Sequence, residues 1–203
     1  MAKINTPISI GAMEICRDKI VEILIDELPS QAGLLARPEI NAKVFRERYK
    51  PIGYEEMPCV NSYVARSDSG KLAAVSSEGT YSFWIDVYTI ARSGEGGAEV
   101  HGDEYSSIKN QELARVITGI LHSTIYRKLD LPSGIVSSVT VTSYTPNDPE
   151  NTKDSENTTL GRLQVDVKAV DGNITSSTIE ALKAATAAKI NNSDKGYSWI
   201  WEK

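Results

Sequence analysis

The sequence predicts an α+β protein in which helices cover one face of an antiparallel β-sheet. Three observations support this prediction. Apolar residues alternate with period two in several segments, they recur with helical spacing in others, and no regular strand–helix–strand alternation indicates a parallel sheet. Segments 80–92 and 162–168 each have one apolar face and one polar or mixed face. That pattern is typical of a sheet whose second face is left open.

The first helix is predicted for residues 13–28. Its apolar side chains form two adjacent stripes: Cys16, Ile20, Ile23 and Leu24, and Val21, Ile25 and Leu28. This arc is wider than a helix on a single sheet needs, so the helix either lies between two layers or contacts another subunit. Pro29 is expected to end it, because the residue before a proline disfavours the α conformation.

Three strands are predicted next. Residues 44–48 form a short strand, residues 58–66 a second one, and residues 80–92 the long central strand. The turn-rich segment 67–79 joins the last two as an antiparallel hairpin with a long tip.

The central strand sorts its side chains onto two unlike faces. One face is apolar, and we expect Phe83, Ile85 and Val87 to be buried beneath the second helix. The other face places Trp84 and Tyr88 on either side of Asp86. Strand faces that combine aromatic residues with a carboxylate often contact another molecule, so this face is the candidate interface.

The second half of the domain begins with a glycine-rich acidic loop at 93–104. The clearest helix follows at about 105–129, where apolar residues keep helical spacing. Two strands, 136–144 and 159–170, complete the predicted sheet, and the polar loop 145–158 separates them.

The composition changes after residue 170. A capping box, Ser177-Thr-Ile-Glu180, opens an alanine-rich helix that runs to about residue 190, and the strand-like tail YSWIW follows. We therefore divide the chain into an α+β domain at 1–170 and a C-terminal extension at 171–203.

Composition limits the classes of function. A net charge of −5 and a pI near 5.2 argue against an outer surface that grips nucleic acid, although DNA can pass an acidic lining freely. Cys16 and Cys59 lie far apart and fit a reducing compartment. The sequence contains no signal-peptide pattern and no apolar run of the ~20 residues that a membrane span requires.

No catalytic, cofactor-binding or metal-binding residue is predicted. A nucleotide-binding loop is one interpretation of Gly94, Gly96 and Gly97, which precede a helix. The dinucleotide fingerprint would need a glycine where Glu99 stands, and no P-loop lysine follows. The carboxylates of Glu95 and Glu99 would also repel phosphate.

The pair His101 and Asp103 could act as a base with its orienting carboxylate. No nucleophile has a recognisable elbow, however, and neither histidine has a metal-ligand partner at the required spacing.

Four aromatic residues outside the expected core have two open interpretations. Trp199 and Trp201 in the tail either fold back over Trp84 and Tyr88 within one chain, or the same residues anchor contacts between subunits.

The succession of segments resembles the tail terminator, or tail completion, proteins of long-tailed bacteriophages. An apolar N-terminal helix precedes VFRERYKPIGYEEMPCVNSYVAR, at 44–66, in which a proline-initiated strand carries an Asn-x-Tyr. The strand YSFWIDVYTIAR, the acidic loop and the helix QELARVITGILHSTI, at 111–125, follow, and GRLQVDVKAV, at 161–170, completes the pattern. In this chain Met57 replaces the leucine typical of the family. The resemblance covers residues 12–170.

The resemblance implies a structural virion protein, assembled in the host cytoplasm, with no catalytic role. Such subunits form a hexameric ring that caps the tail tube and joins it to the neck or head. The implied partners are further copies of the chain, the tail tube protein, and sheath or neck proteins, with DNA only as cargo passing through the lumen. We expect the 67–79 tip and the 93–104 loop to project toward the tube or the lumen.

The expected interface residues are Trp84, Asp86, Tyr88, Glu95, Glu99, Trp199 and Trp201. Three alternatives remain open: a head–tail connector of the neck, a small enzyme using His101 and Asp103, and a monomeric binding module using the Trp84 and Tyr88 face.

Overall fold

The computed structural model describes residues 11–69, 78–91, 102–147 and 158–170. Within these ranges the chain forms helices α1 (Ala12–Leu34) and α2 (Gly102–His122), and strands β1 (Lys43–Arg46), β2 (Cys59–Ser69), β3 (Glu78–Ile90), β4 (Val136–Asn147) and β5 (Thr158–Val170). The predicted C-terminal helix and tail, most of the 93–104 loop and the tip of the β2–β3 hairpin lie outside the described residues.

The five strands form one sheet in the order β1-β2-β3-β5-β4, and the predicted α+β class is confirmed. Pairing is antiparallel at three of the four strand boundaries, including the predicted β2–β3 hairpin. Strand β1, however, runs parallel to β2, so the sheet is mixed.

The backbone that follows β1 explains its direction. Glu47 adopts a left-handed conformation with φ 49°, and the Asn61 side chain bonds both the N–H and the C=O of Arg48 at 3.0 Å. The chain then returns to the start of β2 before pairing begins. A strand of four residues contains too little pattern to predict that direction.

Both helices pack on the same face of the sheet, as the sequence predicts. Phe83, Ile85 and Val87 are fully buried beneath them, and burying each such side chain stabilises the fold by roughly 1.5–3 kcal/mol. Trp84 points to the opposite face, where it is half-buried. Among the described residues, the helices therefore cover one side of the sheet only.

Helix α1 does not end at Pro29, contrary to the sequence prediction. It continues to Leu34, with Leu28 and Ala32 both buried on either side of the proline. An internal proline costs about 3 kcal/mol, and the burial of these two side chains offsets that cost. The wide apolar arc of α1 is largely explained within the chain, because the helix contacts both α2 and the β1–β2 side of the sheet.

Helix α2 ends at His122, earlier than the predicted residue 129. The apolar spacing in the sequence continues past His122 because Leu129 is also buried in the core. Leu129 lies in a turn, however, with a left-handed φ of 55°. Ile125, which lies within the predicted helix 105–129, is 72% exposed.

A buried polar network attaches α2 to the sheet. The Asn110 amide donates to the carbonyl oxygens of Val87 at 2.8 Å and Thr159 at 3.1 Å, and its oxygen accepts from the Tyr144 hydroxyl at 2.8 Å. Gly161 makes room for this network, since a Cβ there would lie 2.2 Å from Asn110 Oδ1. The network thus fixes the helix against β3, β4 and β5.

Candidate functional site

The sheet face opposite α1 and α2, which we call the open face, carries the predicted interface residues that lie in the described part of the chain. Strand alternation and register bring side chains of four strands to its centre: Phe45 from β1, Asn61 and Tyr63 from β2, Trp84, Asp86 and Tyr88 from β3, and Arg162 and Gln164 from β5. Neither α1 nor α2 packs against this face.

An ion pair forms the centre of the open face. Arg162 lies opposite Asp86, and its Nε donates to Asp86 Oδ1 at 2.6 Å while its Nη2 donates to Oδ2 at 2.9 Å. The same Nη2 donates to the Tyr63 hydroxyl at 2.6 Å, and that hydroxyl donates to Asp86 Oδ2 at 2.8 Å. Each of the three groups is therefore bonded to the other two.

Aromatic rings surround the guanidinium group. The Arg162 guanidinium carbon lies 4.3 Å from the centroid of the Trp84 ring and 5.8 Å from that of Tyr63. The two rings meet edge to face, with centroids 5.8 Å apart and an interplanar angle of 84°. Cation–π and edge-to-face contacts of this kind hold each side chain in one orientation. We call Tyr63, Trp84, Asp86 and Arg162 the central cluster.

The pKa values of Arg162 and of two tyrosines on the open face are raised. The hydrogen bond to Asp86 raises the pKa of Arg162. Burial and the nearby Asp86 raise the pKa of Tyr63 above its usual range, and burial followed by the Asp86 charge raises that of Tyr88 to about 12. Both phenols therefore keep their protons at neutral pH.

A second cation–aromatic group lies on the open face, at its β1 end. The Arg48 guanidinium carbon is 4.3 Å from the Phe45 ring centroid, and Lys43 Nζ is 5.0 Å from it. Arg48 also donates to both Glu56 oxygens, at 2.8 and 2.7 Å. These bonds, together with the Gly53 N–H, lower the pKa of Glu56 to about 2.

Three of the predicted interface residues lie together on the open face: Trp84, Asp86 and Tyr88. Asp86 differs from the expectation in one respect, since it is only 3% exposed. Its carboxylate is covered because Arg162 and Tyr63 bond to it from the two neighbouring strands.

The remaining predicted residues lie outside the described part of the chain. Glu95, Glu99, Trp199, Trp201 and His101 fall there, as does the side chain of Asp103. Tyr63 and Arg162, which belong to the same site, were not predicted from the sequence. Period-two alternation places Arg162 outward, but only the strand register brings it to Asp86.

Among the described residues, no group of three or more histidine, cysteine, aspartate or glutamate side chains could hold a metal ion. None of the described helices is both long enough and apolar enough to cross a membrane. In comparisons with protein-family models and with curated proteins, no match to this chain was found.

Proposed function

We propose that this chain is a structural subunit of a bacteriophage tail that assembles into a ring, caps the tail tube and joins it to the neck or head, as the resemblance to tail terminator proteins implies. The observation that carries the proposal is the open face with its central cluster. A sheet face that neither α1 nor α2 covers, with an arginine–aromatic centre, is suited to contact a neighbouring subunit.

The composition of the central cluster supports a role in protein contact. Tryptophan, tyrosine and arginine are the residues that most often dominate the binding energy of interfaces. Arg162 is held by Asp86 and stacked on Trp84, so little side-chain freedom remains to be lost on association. Asp86 also balances the charge of Arg162, so a partner can cover the face without burying an unpaired charge.

A ring also requires a second, different patch on each subunit, because a head-to-tail contact joins two unlike surfaces. Exposed apolar side chains on and beside the helices offer candidates: Ile25, Leu34, Leu35 and Ile108. Ile25 is 50% exposed and Leu34 is 77% exposed. We propose that the open face of one subunit meets the helix side of the next.

The proposed partners follow from the ring. They are further copies of this chain, the tail tube protein, and sheath or neck proteins on the side toward the head. DNA would pass through the lumen as cargo, and the protein would be located in the virion tail or neck.

Negative-stain electron microscopy of the purified protein tests the proposal, with Trp84→Ala and Trp84→Phe as a matched pair. We expect sixfold rings for the wild type and for Trp84→Phe, which keeps an aromatic ring over Arg162. Trp84→Ala should lose the rings while retaining the wild-type circular dichroism spectrum. The proposal is wrong if the wild type forms no sixfold ring either alone or on purified tail tubes.

A further inference from the structure

Within the described part of the chain, β1 and β4 are the edge strands of the sheet, and they differ sharply in length and charge. β1 is four residues long and carries Lys43 and Arg46, charges of the kind that protect an edge from pairing with another chain. β4 is twelve residues long, and its sequence VSSVTVTSYTPN contains no charged side chain. Valine and threonine, which favour strands, make up six of these residues. Of the two edges, β4 is the one that can accept another strand.

One hydrogen bond shows which backbone groups of β4 face outward. The Val141 N–H donates to His122 Nε2 at 3.1 Å, so it does not pair with β5. Because antiparallel strands alternate between residues that bond the partner strand and residues that face away, Val139 also presents its N–H and C=O to the outer side. Thr140, between them, bonds toward β5.

The regular part of β4 is bounded by two register shifts, between Val136 and Ser138 and between Val141 and Ser143. Its outward-facing residues, Val139 and Val141, are equally spaced about Thr140. A second β4 strand placed antiparallel about a twofold axis at Thr140 would therefore set Val139 opposite Val141 of the second copy. The backbone N–H and C=O groups of Val139 and Val141 in each copy would then be hydrogen-bonded to the other copy.

Side chains and charge also favour a second copy as the occupant. Val139 and Val141 are only partly buried and pack against the margin of the core, so pairing would continue the apolar layer from one copy into the other. The chain carries a net charge of −5, which opposes self-association on average, whereas two β4 strands meet without any like-charge contact.

We propose that the outer edge of β4 is a self-association site, at which two copies of this chain join their sheets by antiparallel β4–β4 pairing centred on Thr140. In the single chain His122 Nε2 accepts the hydrogen bond of the Val141 N–H, and the His122 side chain moves away when the second strand binds. This twofold contact goes beyond the proposed ring function, since a ring closes through unlike surfaces and the β4 edge joins like surfaces.

Disulfide trapping with Thr140→Cys tests the pairing and its register together. Thr140 would face its own copy at a position without hydrogen bonds between the strands, where Cα atoms lie about 4.5 Å apart, within the range for a disulfide. Cys16 and Cys59 are buried and do not compete. Thr124→Cys, at an exposed position after α2, is the matched control. We expect covalent dimers to form at least tenfold faster with Thr140→Cys, and equal rates would overturn the proposal.

A charge test addresses the same contact without oxidation. Thr140→Lys retains the fold, because Thr140 is exposed and lies opposite Asp166 on β5, but it places two lysines on the twofold axis. We expect the dimerisation constant from sedimentation equilibrium to weaken at least tenfold relative to Thr124→Lys. Mixing Thr140→Lys with Thr140→Glu should restore pairing. A wild type that stays monomeric, or an unchanged constant for Thr140→Lys, would overturn the proposal whether or not rings form.

Discussion

Asp86 and Arg162 lie directly opposite each other on β3 and β5 and are joined by two hydrogen bonds, of 2.6 and 2.9 Å. The two side chains are unequally exposed: that of Asp86 is 4% exposed and that of Arg162 is 28% exposed. Loss of either partner therefore leaves the other in a different environment. Asp86 would remain buried without its countercharge, whereas Arg162 could turn toward water.

We expect Arg162→Met to destabilise the fold more than Asp86→Asn does. Removing the guanidinium leaves a buried carboxylate with only the Tyr63 hydroxyl, at a cost of about 3 kcal/mol, whereas Asp86→Asn keeps the shape and costs about 1–2 kcal/mol. Chemical denaturation of both variants and of the double variant measures the difference. The double variant should lose less free energy of unfolding than the sum of the two single losses. A larger loss for Asp86→Asn than for Arg162→Met would contradict the prediction.

The Glu56 carboxylate should give the fold a pH dependence in the acid range. Its pKa is lowered from 4.5 to about 2 in the folded state, mainly by Arg48. Glu56 therefore stabilises the fold above about pH 4.5, and this contribution is lost as pH falls toward 2. Thermal melts of Glu56→Gln should lie below those of the wild type at pH 7 and converge with them near pH 2. Glu55→Gln, at the exposed neighbouring position, should follow the wild type throughout.

Asn110 should tolerate substitution poorly. Asn110→Ala leaves the Val87 and Thr159 carbonyls and the Tyr144 hydroxyl without their partner and opens a cavity, so we expect a loss of about 2–4 kcal/mol. Tyr144→Phe removes only one of these bonds and should cost about 1 kcal/mol. Urea unfolding of the two variants compares their losses of unfolding free energy. Similar losses for Asn110→Ala and Tyr144→Phe would show that the network acts mainly through the tyrosine.

Two glycines should respond to alanine in opposite directions. At Gly161 a Cβ would approach Asn110 Oδ1 to 2.2 Å and Tyr144 Cε2 to 2.6 Å, so Gly161→Ala should destabilise by about 1–3 kcal/mol. At Gly119, inside α2, a Cβ would meet nothing within 4 Å. Gly119→Ala should therefore stabilise the protein by about 0.5–1 kcal/mol, because glycine is a poor helix former. Differential scanning calorimetry of both variants tests the pair.

The two faces of β3 could be predicted because alternation is a local property of the chain. Phe83 and Trp84 are adjacent in sequence, and a strand must turn them to opposite sides of the sheet. The burial of Asp86 could not be predicted in the same way. It depends on the register that sets Arg162 opposite it, and that register joins residues 76 positions apart.

The incorrect predictions share this cause. A proline rule for Pro29 considers only the preceding residue, whereas the helix is held by Leu28 and Ala32 against the core. The parallel direction of β1 depends on Asn61, which holds the backbone of Arg48 across the connection. Asn110 was not identified because a buried asparagine in a helix looks, in sequence, like any other polar position on the solvent side.

The pairing of β3 with β5 also determines when the sheet can be completed. Ile90 pairs with Thr158 and Glu78 with Val170. The edge of β3 that faces away from β2 therefore gains its neighbour, β5, only after the whole of α2 and β4 has been synthesised. Before that point β3 can form its hairpin with β2, but its other edge presents unpaired backbone N–H and C=O groups. The nascent chain therefore passes through a stage that is prone to aggregation and suited to chaperone capture, and this stage ends when β5 leaves the ribosome.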